Sequence, residues 1–239
     1  MKVNHLSIKS THNRLYHRLS DTPLLRRRLM ANIFAINAMC LATSLLRLSN
    51  LGTDPYACMN LGFSLLSELS FGTCTAIVCY TLFIPVLLLG RQFIKAGTII
   101  YLLLLGPLCD VYSFLLFSFV GQPESVLLPA RIFILISGIL ISCIGTAFYL
   151  CSNIGLGPYD ALNWIIEHRS NKKIPYKWGR IACDAICVTI GFLCGSVVGV
   201  GTVALVCCTG PIVSFFNRHA AVPIIYGKGA VNPLEKQVS

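Results

Sequence analysis

Charge is scarce in this chain. Only 12% of its 239 residues are Asp, Glu, Lys or Arg, and just nine are acidic, where a water-soluble domain carries about 25% charged residues. With 55% hydrophobic residues and a mean hydropathy of +0.74, a soluble globule would keep a largely apolar surface, so the implied solvent is a lipid bilayer. Also missing is the apolar/polar alternation of a transmembrane barrel strand. Ile132-Phe133-Ile134-Leu135-Ile136 is apolar on every face, and the apolar stretches Arg28 to Leu48 and Arg131 to Leu150 approach the length that crosses hydrocarbon as a helix. In lipid such a backbone satisfies itself as helix.

Other absences narrow the chemistry. There is no spaced histidine cluster, no nucleophile beside a base, no catalytic carboxylate pair and no Gly-x-x-x-x-Gly-Lys-Ser/Thr loop. No enzyme activity and no cofactor is therefore expected. The twelve cysteines form no paired Cys-x-x-Cys motif, and most lie inside apolar segments, Cys183, Cys187, Cys207 and Cys208 included. They read as small packing residues, and no metal is expected. The net charge of +10 resides mostly in the N-terminal tail, short loops and the C-terminal tail. Membrane orientation explains that placement better than nucleic acid. His5, His12 and His17 share a basic tail, residues 1–27, with Arg14, Arg18, Arg26 and Arg27, which abuts the first apolar segment at Arg28 and marks a cytoplasmic flank.

What the chain does contain is a copy of itself. Ser49-Asn50-Leu51-Gly52-Thr53-Asp54-Pro55-Tyr56, running on to Asn60, matches Ser152-Asn153-Ile154-Gly155-Leu156-Gly157-Pro158-Tyr159, running on to Asn163. A second pair follows in the same order, Gly97-Thr98 leading to Gly106-Pro107 and Gly201-Thr202 leading to Gly210-Pro211. With Arg28 and Arg131 opening the preceding apolar segments, these pairs define membrane units over residues 28–120 and 131–217, followed by a C-terminal cytoplasmic tail, 218–239.

The short stretch after each motif decides the topology. Pro55 to Leu69 extends about 22 Å as a helix, short of the ~30 Å hydrocarbon, and Pro158 to His168 is shorter still. A re-entrant half-helix leaves three spans per unit and inverts one unit against the other. The expected fold is thus an all-α polytopic membrane protein of two homologous, inverted units, each with three spanning helices and a re-entrant half-helix. Placing the tail inside then puts Arg91, Lys95, Arg169, Lys172, Lys173, Lys177, Arg218 and Lys228 inside, and Gln122 to Ala130 outside, with both termini cytoplasmic. An eight-span alternative would export Arg91 and Lys95.

Proline suits the first turn of a helix, and Asp54 or Gly157 before it suits the N-cap. If those starts lie inside the membrane, their N–H groups meet near the midplane beside the amides of Asn50 and Asn153, as in transporters with broken helices. The candidate substrate-binding residues are Asn50, Gly52, Asp54, Pro55, Tyr56, Asn153, Gly155, Pro158, Tyr159 and Asp160, with Asp110 added because it is an acid inside an apolar segment, suited to a proton relay or a cation. Asp54 and Asp160 also suit the positive end of a helix, and Asp184 lies one turn from Arg180 and suits an ion pair.

At these motifs the sequence resembles the YczE/YyaS/YitT family of bacterial membrane proteins, whose members show Asn-x-Gly-x-x-Pro followed by an aromatic and a later Gly-Thr and Gly-Pro. The resemblance covers most of the chain after Arg28 and implies a location in the bacterial cytoplasmic membrane. Two functions remain open. One is a transporter or channel for a small solute. The other is a non-transporting scaffold or accessory subunit, and with either the partners are the bilayer and a second copy of the chain or another membrane protein.

Overall fold

A computed structural model describes residues 22–170 and 176–227. Residues 1–21, residues 171–175 with Lys172 and Lys173, and the segment from Lys228 onward lie outside the described residues. The helices are α1 Thr22–Ser49, α2 Pro55–Ser67, α3 Phe71–Leu89, α4 Ala96–Val120, α5 Leu128–Ser152, α6 Pro158–Arg169, α7 Tyr176–Leu193, α8 Val200–Phe216 and α9 Val222–Tyr226. A π-helical turn, Asn217–Ala221, carries α8 into α9. No strand occurs among the described residues.

Among the described residues, five segments are long and apolar enough to cross a membrane: Leu24–Ser49, Phe71–Leu89, Ala96–Ser125, Leu128–Ser152 and Val200–Tyr226. The sequence reading expects six. The sixth, α7, has 18 residues but carries Lys177, Arg180 and Asp184, too many charges for a span judged on composition. The outer surface of the long helices is apolar, with Phe114, Phe119, Phe133, Leu193 and Val200 all well exposed. A soluble protein would bury such a surface, whereas lipid wets it.

Small side chains hold the centre. Ala31, Ala35, Ala38 and Ala42 form a buried stripe on α1. Opposite them, a Cβ at Gly145 of α5 would lie 3.2 Å from the Ala35 carbonyl oxygen, and one at Gly138 would lie 3.1 Å from Leu46. Helices associate in lipid through such close approach, since lipid tails compete with any larger apolar contact. The buried cysteines serve the same packing: Cys40, Cys109, Cys143 and Cys151 sit in the main apolar core. The two short helices then insert between the long ones, α2 against α7 and α6 against α3. The 13 residues of α2 and 12 of α6 make rods of about 20 Å, well short of a ~30 Å hydrocarbon layer.

Candidate functional site

Local chemistry builds each motif. Ser49 Oγ donates to Leu46 O at 2.7 Å and Ser152 Oγ to Tyr149 O at 2.7 Å, which closes the last turns of α1 and α5. Asn50 and Asn153 then end those helices in the left-handed region, with φ of 50° and 49°, a conformation that Asn tolerates better than most residues. Gly52 and Gly155 follow at φ of 121° and 131°, where only glycine is unstrained. The chain leaves this turn straight into a new helix with proline in its first turn. Asp54 caps α2 by accepting from Ala57 N at 3.0 Å. Gly157 occupies the N-cap position of α6, and its own N–H donates to the Tyr149 hydroxyl. A Cβ there would lie 2.9 Å from the Tyr101 ring, so the Asp54 solution does not fit the second motif.

Each motif is held by residues from the other half of the chain. Arg131 Nε donates to Ser49 O at 2.6 Å and Nη2 to Asn50 O at 3.0 Å. In return Arg28 Nε donates to Ser152 O at 2.8 Å and Nη2 to Asn153 O at 3.2 Å. The guanidinium fork thereby takes up the terminal carbonyls of a helix, at its negative end. The Gly-Thr pairs repeat this exchange: Gly201 N donates to Leu51 O and Gly97 N to Ile154 O, both at 2.9 Å.

Beyond these clamps the starts of α2 and α6 face a cavity of about 540 Å³. The Tyr56 and Tyr159 rings meet there with centroids 5.0 Å apart, and Tyr101 meets Tyr149 at 5.8 Å. Arg180 of α7 enters the same space. It pairs with Asp160 and lies 3.7 Å from Asp184, donates to the Tyr176 hydroxyl at 3.2 Å, and stands 5.4 Å from the Tyr159 ring centroid. The Tyr159 hydroxyl donates to Asp184. Asn60, one helical turn past Tyr56, also lines the cavity; it is fully buried, and its amide oxygen has no hydrogen-bond partner among the described residues.

The cavity is walled on one side and open on the other. Helix α3 packs along α4 because Gly72 and Gly106 face each other: a Cβ on Gly106 would meet the Gly72 carbonyl oxygen at 2.7 Å. By the sequence offset the match of Gly106 is Gly210, where a Cβ would meet nothing within 4 Å. There α7 and α8 splay apart, and Ile181 and Val206 line the gap while remaining exposed.

Of the eleven candidate residues, Asp54, Pro55, Tyr56, Tyr159 and Asp160 line the cavity. Asn50, Gly52, Asn153, Gly155 and Pro158 do not; the first four shape the turns behind it, and Pro158 is buried in the first turn of α6. Tyr101, Tyr149 and Tyr176 are cavity residues that the motifs did not single out; Asn60, the end of the first motif, and Arg180 and Asp184, read as an ion pair, join them. The common signal available was the presence of polar residues in otherwise apolar helices.

Comparison with known proteins follows the same span. The model of a family of unknown function, DUF6198, matches residues 26–218. The chain belongs to that family. An uncharacterized protein of Haemophilus influenzae is 29% identical over 195 residues, covering 81% of this chain and 85% of that protein. The uncharacterized membrane protein YczE of Bacillus subtilis is 23% identical over 128 residues, 54% of this chain and 56% of its own length. No solved structure matches the chain.

Asp110 stands apart from the cavity. Its Oδ1 accepts from Gly72 N at 2.7 Å and its Oδ2 from Ser70 Oγ at 2.6 Å, so it completes the N-terminus of α3 from the neighbouring helix. Asp110→Ala is expected to cost about 1–3 kcal/mol by leaving that buried N–H unpaired and removing a favourable charge. A drop in melting temperature in detergent, with ligand binding in the cavity unchanged, is the expected result. Lost binding at an unchanged melting temperature would make Asp110 a ligand-handling residue instead.

Proposed function

We propose that this protein carries a small solute across the bacterial cytoplasmic membrane, with the cavity between the starts of α2 and α6 as its binding site. The observation that carries this reading is the cavity itself, a space holding three carboxylates and a guanidinium, framed by two short helices inside an apolar bundle. Scaffold proteins gain nothing from such a space, since intramembrane charge is costly and concentrates on transport paths. The reading includes six spans in two inverted units, with both termini cytoplasmic. Helix α7 serves as the sixth span because Arg180 and Asp184 turn to the cavity and not to lipid. The reciprocal arginine and Gly-Thr contacts support the pairing of two equivalent units, and the closed α3/α4 seam opposite the parted α7/α8 seam is the asymmetry expected when such a carrier opens to one side.

Flux through proteoliposomes tests it. The probes are choline, succinate and sorbitol, a cation, an anion and a neutral solute that cross bare lipid slowly. At least one is expected to enter faster than into protein-free liposomes, and Val206→Trp at the mouth of the cavity is expected to slow it by about tenfold through loss of positioning space. Rates equal to bare liposomes for all three, together with no ligand binding in the cavity, overturn the reading.

A further inference from the structure

We infer that the solute bound in this cavity is an organic ammonium ion with an apolar body; the inference rests on the cavity being a binding site. The charge count is the first reason. Asp54, Asp160 and Asp184 face one guanidinium, Arg180, which leaves a formal charge of −2. Arg180 is already engaged by Asp160, Asp184 and Tyr176. Asp54 forms no ion pair among the described residues; the hydrogen bond its carboxylate accepts there is the one that caps α2. Half-helix N-termini favour anions when their N–H groups are free. At α2 one of those N–H groups, that of Ala57, is already taken by the Asp54 carboxylate, whose own charge opposes an anion there.

The walls give the second reason. Tyr56, Tyr101, Tyr149, Tyr159 and Tyr176 all line the space, and two pairs of their rings are in contact. Tyrosine faces attract ammonium groups, most strongly where water is excluded. The fully buried Asn60 amide is the third: its unpartnered oxygen is an acceptor held in the cavity wall with nothing to accept. An ammonium N–H supplies that donor, and the unpaired Asp54 supplies the countercharge. The remaining wall, including Phe71, Leu105, Leu205 and Val213, is apolar and suits a hydrocarbon body. A bare metal ion fits less well, since no three His, Cys, Asp or Glu side chains among the described residues group closely enough to hold one.

Binding to the full-length protein in nanodiscs tests the inference. 2-Phenylethylammonium, 2-phenylethanol and phenylacetate share one skeleton and differ in charge, and choline adds a quaternary head. At least one of the two ammonium ions is expected to bind about tenfold or more tightly than the alcohol and the carboxylate. Asp54→Asn keeps an N-cap and is expected to remove that preference while leaving the unliganded melting temperature nearly unchanged. If Asp54→Asn does not fold, Tyr56→Leu is expected to weaken the ammonium ions selectively, with 2-phenylethanol unaffected. Tighter phenylacetate binding, or ammonium binding indifferent to both variants, overturns the inference. Silence of both ammonium ions alongside measured flux of succinate or sorbitol also overturns it and leaves transport standing. Silence in binding and in flux together removes the cavity as a binding site.

Discussion

Gly52→Ala is expected to yield little or no folded protein. At φ 121° a side chain is strained wherever it points, and the Cβ would stand 2.7 Å from both the amide nitrogen and Oγ1 of Thr202. The nitrogen is backbone in the first turn of α8, which is itself fixed by the Gly201 N to Leu51 O bond, so no rotamer change relieves the contact. Strain of ~1–3 kcal/mol adds to overpacking of about the same size, a large share of a folded state worth ~5–15 kcal/mol. Gly155→Ala repeats the case at φ 131°, with Thr98 Oγ1 at 2.6 Å and Thr98 N at 2.9 Å. Gly195→Ala is the control. It too has positive φ, 87°, but its Cβ would meet nothing within 4 Å. The measurement is the yield of monodisperse protein and its melting temperature in detergent: Gly195→Ala survives with a loss of ~1–2 kcal/mol, the other two do not. Equal behaviour of all three would mean that the tight seat of the motif turns is wrong.

The exchanged arginines carry the second large effect. Arg131→Gln removes two hydrogen bonds to partly buried carbonyls, those of Ser49 and Asn50, and a positive charge at the end of α1. Charge-assisted bonds of this kind are worth about 1.5–3 kcal/mol each at most, and unpaired carbonyls cost more in lipid than in water, so a loss of ~2–4 kcal/mol is expected. Arg28→Gln is expected to cost somewhat less, because its bonds at 2.8 and 3.2 Å are longer than the 2.6 and 3.0 Å of Arg131. Lysine at either position restores part of the loss, since it brings the charge without the fork that reaches two carbonyls at once. Thermal unfolding in detergent reads the order: native, Lys, Gln. A melting temperature unmoved in Arg131→Gln would show that orientation in the membrane is the arginine's whole purpose.

That double use explains why Arg28 and Arg131 were only half legible. As basic residues at the start of apolar segments they read as membrane flanks; nothing within a few positions reveals that each reaches a carbonyl more than 80 residues away. Asp110 is half legible for the same reason. An acid in an apolar run suggests ion handling, and its hydrogen-bond partners Ser70 and Gly72, at the start of α3, lie about 40 positions earlier. Asn50 and Asn153 drew attention as amides, and the structure places them in the left-handed turns behind the cavity.

What the sequence determined by itself is everything that depends on near neighbours. Apolar length sets the long helices, and proline with a cap starts the short ones. Asn and Gly break the chain between them, and Arg180 meets Asp184 one turn along α7. Those features need only the geometry of one helix turn, which spacing encodes. The tertiary structure alone decided that each motif is clamped by the other half, that five tyrosines and three carboxylates converge on one cavity, and that the α3/α4 seam closes while the α7/α8 seam stands open. These depend on where packed helices cross in space. Small differences such as Tyr101 for Leu205, or a Gly106 that touches its neighbour for a Gly210 that does not, set the outcome without changing the pattern that sequence reading follows.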